Sequence, residues 1–187
     1  MLSRRSLLPH KMGGERGREA VPELFPYRRA EAVEYAHRWA YGRNPAYDDF
    51  EALGGDCTNF ASQCLYAGAG VMNFTPTFGW YYRSLSDRAP AWTGVEYLFR
   101  FLTRRERSPG PVAVLSSLED LRPGDLVQLS FSSGAFTHCP VVIETGERGA
   151  PETLLLAAHS QDANLRPLAS YPYRQVRGLH ILGVTRV

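Results

Sequence analysis

The chain predicts an α+β fold, N-terminal helices packed on an antiparallel β-sheet, and three observations carry that prediction. Through the first half, apolar residues recur at three- and four-residue spacing, the period of an amphipathic helix. In the second half the pattern turns to short apolar runs bounded by glycine, proline and aspartate, the mark of strands. Helices first and strands afterwards, in place of strict alternation, favour segregated layers over a parallel sheet with crossover helices. With 187 residues the chain is long enough for one substantial core and too short for two independent domains.

Residues 1–26 are basic, glycine-bearing and without periodicity, so they read as a flexible tail ahead of a domain spanning 27–187. Ser3-Arg4-Arg5-Ser6-Leu7-Leu8 superficially resembles a twin-arginine signal, but Pro9-His10-Lys11 follows where an apolar region should stand, so no signal peptide is expected. Ala32, Tyr35, Ala36, Trp39 and Ala40 define a helix within Tyr27 to Tyr41, ended by Asn44-Pro45. A second helix begins at Asp56 or Cys57, with Asp56 as N-cap, and stops near Gly68 or Gly70; Phe60, Ala61, Cys64 and Leu65 form its inner stripe. Residues 71–91 read as an ordered loop holding Trp80, Tyr81 and Tyr82, and Thr93 to Thr103 as a third helix with Thr93 as a cap. Arg104 to Pro111 is a basic turn. Leu121-Arg122-Pro123-Gly124-Asp125 is a turn leading into a strand at Leu126 to Phe131, followed by strands at Thr137 to Glu144, Thr153 to His159 and Leu179 to Val187.

The balance of 21 basic against 19 acidic residues leaves a net charge of +2, too small to point to nucleic acid or an anionic membrane as partner. No run approaches the roughly 18 apolar residues of a membrane span. Three cysteines spread along the chain form no disulfide framework and fit a reducing, cytoplasmic setting. Their spacing relative to histidine lacks the close ligand pairs of structural zinc, and no phosphate-cradling loop or dinucleotide fingerprint is present, so neither metal nor cofactor is expected. Oligomeric state leaves no mark on the pattern.

Chemistry concentrates at Gly54-Gly55-Asp56-Cys57, where a glycine turn gives way to a helix. Unpaired first-turn amides favour a thiolate and can hold an oxyanion, so Cys57 is either a nucleophile or a packed thiol, according to whether the chain supplies a base. If Thr137 to Glu144 and Thr153 to His159 form a hairpin in which Glu144 faces Thr153, then His138 faces His159 with β-carbons roughly 4.5–5.5 Å apart. One imidazole would then serve as base and the other would orient it. Asp162 and Asn164, just past the strand, are the rivals for the orienting position. Asp56 shapes the turn, and Trp80, Tyr81 and Tyr82 either wall the cleft or pack on the core. His10, His37 and His180 read as ordinary histidines, and Cys64 and Cys139 as core.

Several segments in order, Gly54-Gly55-Asp56-Cys57-Thr58-Asn59-Phe60-Ala61-Ser62-Gln63, Gly79-Trp80-Tyr81-Tyr82, Gly124-Asp125-Leu126-Val127-Gln128-Leu129, Phe136-Thr137-His138, Ala157-Ala158-His159-Ser160-Gln161-Asp162 and Arg166-Pro167-Leu168, resemble the putative amidase domain family. More distantly they are similar to NlpC-type and CHAP cysteine peptidases and amidases. The resemblance implies a papain-like fold in which Cys57 is the nucleophile, His138 the general base and His159 the polar third residue. It implies hydrolysis of an amide, in a peptide or cell-wall-type peptide, through a thioester. Acyl transfer from the same thioester, or a non-catalytic binding module on the same core, are the alternatives.

Overall fold

The computed structural model describes residues 24–106, 108–132, 134–147 and 149–186. Residues 1–23 of the expected tail lie outside that description. Its last residues do not behave as a tail, because Phe25 exchanges both backbone hydrogen bonds with Val184 at 2.9 Å. Helix α1 (Arg29–Trp39) buries Ala32 and Ala36, with Ala40 one turn on. These small side chains let α1 lie close along α2 (Cys57–Ala69). Arg29 anchors α1 to the sheet: it donates to Asp125 Oδ1 at 2.7 Å, to the Pro123 carbonyl at 3.0 Å and to the Ile181 carbonyl at 2.5 Å. Asp125 also accepts the Ile181 amide and faces His180 Nδ1 at 2.7 Å, so the turn read from Gly124-Asp125 is a junction of three segments.

The central helix α2 is buried on almost every side, not only along the expected stripe. Its polar residues are each matched, as buried polar groups must be. Trp80 Nε1 donates to Ser62 Oγ, Trp92 Nε1 to Asn59 Oδ1 and Tyr35 Oη to Gln63 Oε1, at 2.7–3.0 Å. Gly70 closes the helix in the left-handed conformation at φ 68°. At Gly68 a side chain is impossible without movement, since a β-carbon would sit 2.2 Å from the Tyr27 ring. The expected third helix is two: α3 (Pro90–Thr93) and α4 (Val95–Leu102), separated by Gly94 in extended backbone (φ −114°, ψ 124°). Thr93 therefore ends one helix instead of capping the next.

Six antiparallel strands follow: β1 (Gly110–Ser116), β2 (Leu126–Ser130), β3 (Val141–Thr145), β4 (Leu154–Ala158), β5 (Ala163–Pro167) and β6 (Gln175–Thr185), in spatial order β1-β6-β2-β3-β4-β5. One face, with Cys139, Val141, Ile143, Leu179 and Ile181, packs on the helices. The other, with Val127, Leu129, Val142, Leu156 and Leu168, closes beneath the short helical turns at Leu118–Asp120 and Leu168–Ser170. The two strands absent from the sequence reading are the edges, β1 and β5. β5 carries Leu165 at φ 58° and ends on Pro167, the kind of irregularity that edges tolerate.

The β3–β4 register differs by one residue from the expected one. Val141 faces Ala157 and Val142 faces Leu156, and a bulge between Val142 and Glu144 resets the pairing toward Thr145 and Leu154. The ladder also stops at Val141, because Pro140 offers no N–H to continue it. His138 bridges Leu129 of β2 instead, with N···O distances of 2.9 and 3.3 Å. The expected His138–His159 cross-strand pair is thus absent.

Candidate active site

Cys57 opens α2 and is 6% exposed. Its Sγ lies 3.8 Å from the Thr137 carbonyl oxygen and within reach of the Cys139 backbone, so the thiol abuts the segment that carries His138. Gly54 and Gly55, at φ 115° and 109°, make the turn that places it, a conformation costly for any side-chain-bearing residue. Among the described residues no backbone carbonyl takes the Cys57, Thr58 or Asn59 amide at the helix start, and the Thr58 N–H is directed at the Cys57 sulfur.

Asp56 stands at the N-cap position, yet its carboxylate does not cap the helix. Oδ1 accepts the Phe50 amide at 2.9 Å and Asn59 Nδ2 at 2.8 Å, while Oδ2 meets His159 Nδ1 at 2.5 Å. Burial alone would raise this carboxyl, but the hydrogen bonds from His159, Phe50 and Asn59 outweigh it and hold the group below the usual carboxylate range. The Asp56 amide donates to Ser160 Oγ at 2.7 Å, and that hydroxyl donates onward to Glu51 at 2.6 Å.

His159 is 1% exposed, stacked on Phe60 at 4.0 Å between centroids, and both of its ring nitrogens are engaged. Nε2 donates to the Trp39 carbonyl at 2.8 Å, and Nδ1 faces the Asp56 carboxylate. A carbonyl only accepts, so Nε2 carries a proton, and the ring is clamped between the Trp39 carbonyl and the Asp56 carboxylate beneath the helix start. Neither nitrogen is left for His138, which corrects the expectation that His159 orients the base. The rivals are also committed elsewhere. Asp162 forms a two-pronged pair with Arg43 at 3.0 Å, and Asn164 Oδ1 meets His37 Nδ1 at 3.0 Å.

The His138 ring makes no hydrogen bond among the described residues and sits between the rings of Phe131 and Tyr171, at centroid distances of 6.1 and 5.7 Å. It borders a cleft of about 270 Å³ lined by Phe131, His138, Ser160, Gln161, Tyr171 and Pro172. Burial, with a smaller push from Arg166, lowers the imidazole to about 4. Burial likewise pushes the Cys57 thiol up, against the helix-start effect expected from sequence, and the neighbouring Asp56 charge adds to it. The ligand-free pair is therefore a neutral thiol and a neutral imidazole near pH 7.

Of the two places expected for the aromatic loop, Trp80 and Tyr82 take the core. Trp80 is fully buried against Trp92 and Phe101, and Tyr82 packs on Tyr47, Phe50 and Trp92 with its hydroxyl on Asp48. Tyr81 stacks with Phe74 and Arg83 and is not among the residues that line the His138 cleft. Cys64 and Cys139 are fully buried, the latter receiving Gln128 Nε2 at 3.5 Å. Among the described residues no three histidine, cysteine or acidic side chains converge to hold a metal ion, and no helix is long and apolar enough to cross a membrane. Sequence reasoning missed the true cleft residues. Ser160 and Gln161 stood inside a quoted segment, but their successive left-handed conformations, φ 56° and 79°, leave no compositional trace.

No solved structure is significantly similar to the chain. A relative is the uncharacterized protein YhbB of Bacillus subtilis (strain 168), 34% identical over 155 residues, covering 81% of this chain and 47% of that protein. The chain spans about half the length of the curated relative it matches. Residues 26–182, from the start of the fold to the last strand, match the putative amidase domain, and the chain belongs to that family.

Proposed function

We propose that the protein is a cysteine amidase or peptidase of papain-like type, hydrolysing an amide bond through a thioester. The observation that carries this reading is a cysteine at a helix start whose first-turn amides meet no backbone carbonyl, beside the segment bearing an imidazole with free ring nitrogens. The Cys57 thiol attacks the substrate carbonyl while His138 takes its proton, and the Cys57 amide holds the developing oxyanion. The tetrahedral intermediate collapses as the imidazolium returns that proton to the leaving amine. Water then attacks the thioester, again giving a proton to His138, and the acid departs as the thiol recovers its hydrogen.

In this reading the working unit is a dyad. Asp56 and His159 are positioning residues that fix the turn delivering Cys57, and they touch neither the reacting atoms nor His138. A neutral starting pair suits proton transfer that accompanies attack, instead of a thiolate held in waiting. The test needs no known substrate: the rate of Cys57 alkylation by iodoacetamide, read by mass spectrometry from pH 4 to 10 in wild type and His138→Ala. Wild type should react at least about tenfold faster than the variant near pH 7, as base assistance demands. Cys64 and Cys139, fully buried, serve as internal controls. Equal rates in the two proteins would overturn the reading.

A further inference from the structure

The cleft beside His138 has a cationic, donor-rich side that the proposed chemistry does not use. Arg166 lies with Cζ 3.8 Å from the centroid of the Tyr171 ring, and that ring in turn lies 5.7 Å from the ring of His138. Three of the guanidinium's N–H groups are occupied: Nε by Ser170 Oγ at 2.9 Å, one Nη2 hydrogen by the Ser170 carbonyl at 3.1 Å and one Nη1 hydrogen by Gln161 Oε1 at 3.4 Å. Two of the five remain free. Among the described residues no carboxylate pairs with Arg166, in contrast to Arg29, Arg43 and Arg177, which each hold an acidic partner.

A second orphan stands beside it. Tyr171 is 5% exposed and lines the cleft; its hydroxyl faces the Arg166 guanidinium, but no acceptor takes its proton, an uncommon state for a buried polar atom. Burial raises this phenol, so it remains protonated and can donate. Gln161, held in the left-handed conformation, connects Arg166 to the cleft lining. No acidic residue lines the cleft; Glu51 lies behind Ser160 and is occupied by its hydroxyl. A half-buried cation without a carboxylate partner, held against the cleft-lining Tyr171 and Gln161, and a buried hydroxyl without an acceptor lack the same thing: an anionic acceptor.

We propose that the substrate carries a carboxylate near its scissile amide, received by the free edge of Arg166 with the Tyr171 hydroxyl as a further donor. This rests on the amidase reading and narrows it to acidic amides and peptides. A single planar fork suits a carboxylate, which Arg binds through two parallel N–H bonds. Because a chain spans at most about 3.6 Å per residue, a cation so close to the base reaches the residue adjoining the scissile bond or the next.

The experiment separates binding from catalysis. N-acetylglutamate α-amide, which carries one carboxylate, and its neutral isostere N-acetylglutamine α-amide are titrated into the Cys57→Ala protein and into Cys57→Ala/Arg166→Gln, following backbone amide resonances of His138, Gln161 and Tyr171 by NMR. N-acetylglutamate α-amide should bind roughly tenfold more tightly than N-acetylglutamine α-amide, as expected for a charge-assisted hydrogen-bonded pair. Arg166→Gln should erase that preference, Arg166→Lys should recover part of it, and added salt should weaken it. Equal binding of the two ligands, no binding of either, or a preference that survives Arg166→Gln would each overturn the proposal. If the preference holds while Cys57 alkylation is indifferent to His138, the anion site stands and the hydrolytic reading fails.

Discussion

His138 borders a cleft with neither ring nitrogen bonded to a described residue, whereas His159 is sealed under the helix start with both nitrogens committed. The two differ in their surroundings as well: burial holds the first neutral near pH 7, and the second is fixed between Asp56 and the Trp39 carbonyl. An acid–base group must release and regain its proton in each turnover, so it needs a free nitrogen and access to substrate. A positioning group needs the reverse, a fixed proton count and fixed partners. The contrast teaches that the number of histidines near a nucleophile says little; what each nitrogen is bonded to decides its work.

The most direct way to break the contrast is to remove each side in turn. Cys57→Ala and His138→Ala are expected to lower amide hydrolysis by roughly a thousandfold or more while leaving the thermal midpoint within a few degrees. Full turnover by either variant on an acidic peptide amide that wild type cleaves would end the dyad reading. His159→Ala and Asp56→Ala should act on stability instead. Each strips one partner from the buried Asp56–His159 contact, a change that costs about 3–5 kcal/mol where the group left behind is charged. Urea denaturation followed by circular dichroism measures it, and a loss below about 1 kcal/mol would show that the pair does not hold the turn.

Much of this was legible in the chain, and the reasons for the exceptions are physical. α1, α2 and the strand cores announce themselves because burial imposes a period on apolar residues, and Cys57 does because glycines preceding a helix are a local signal. The pairing of His138 with His159 was read from a register, and a register depends on a bulge and on Pro140, where a one-residue slip reverses the faces. The sharing of Asp56 among Phe50, Asn59 and His159 joins positions more than a hundred residues apart, and no spacing rule encodes it. Whether Trp80 and Tyr82 wall the cleft or join the core stayed open in the sequence for a related reason. Their partners Ser62, Trp92 and Asp48 look like surface or loop residues in sequence and become core only when the polar side of α2 is enclosed.

The contrast sharpens further through pH. An unfolded histidine titrates near 6.5 and His138 in the folded protein at about 4, so between those values the unfolded chain binds the extra proton. Stability from this residue is therefore intact above pH 6.5, falls by about 3 kcal/mol as pH drops toward 4, and levels off below. His138→Phe should flatten that part of the stability–pH curve, whereas wild type and Cys57→Ala should share it. An unchanged slope in His138→Phe would mean that the imidazole is solvated and that its neutrality is not built into the fold.

The smallest effect expected is at Ser160, the one side chain that both lines the cleft and supports the helix start. Ser160→Ala leaves the Asp56 amide without an acceptor and Glu51 without a donor, a loss of about 1–3 kcal/mol for the buried amide. Because the hydroxyl belongs to the positioning side, the alkylation rate of Cys57 near pH 7 should change far less than in His138→Ala. If Ser160→Ala instead slows alkylation as much as His138→Ala while stability is unchanged, Ser160 belongs with the base, and the division between a free histidine and a locked one no longer marks the boundary of the working site.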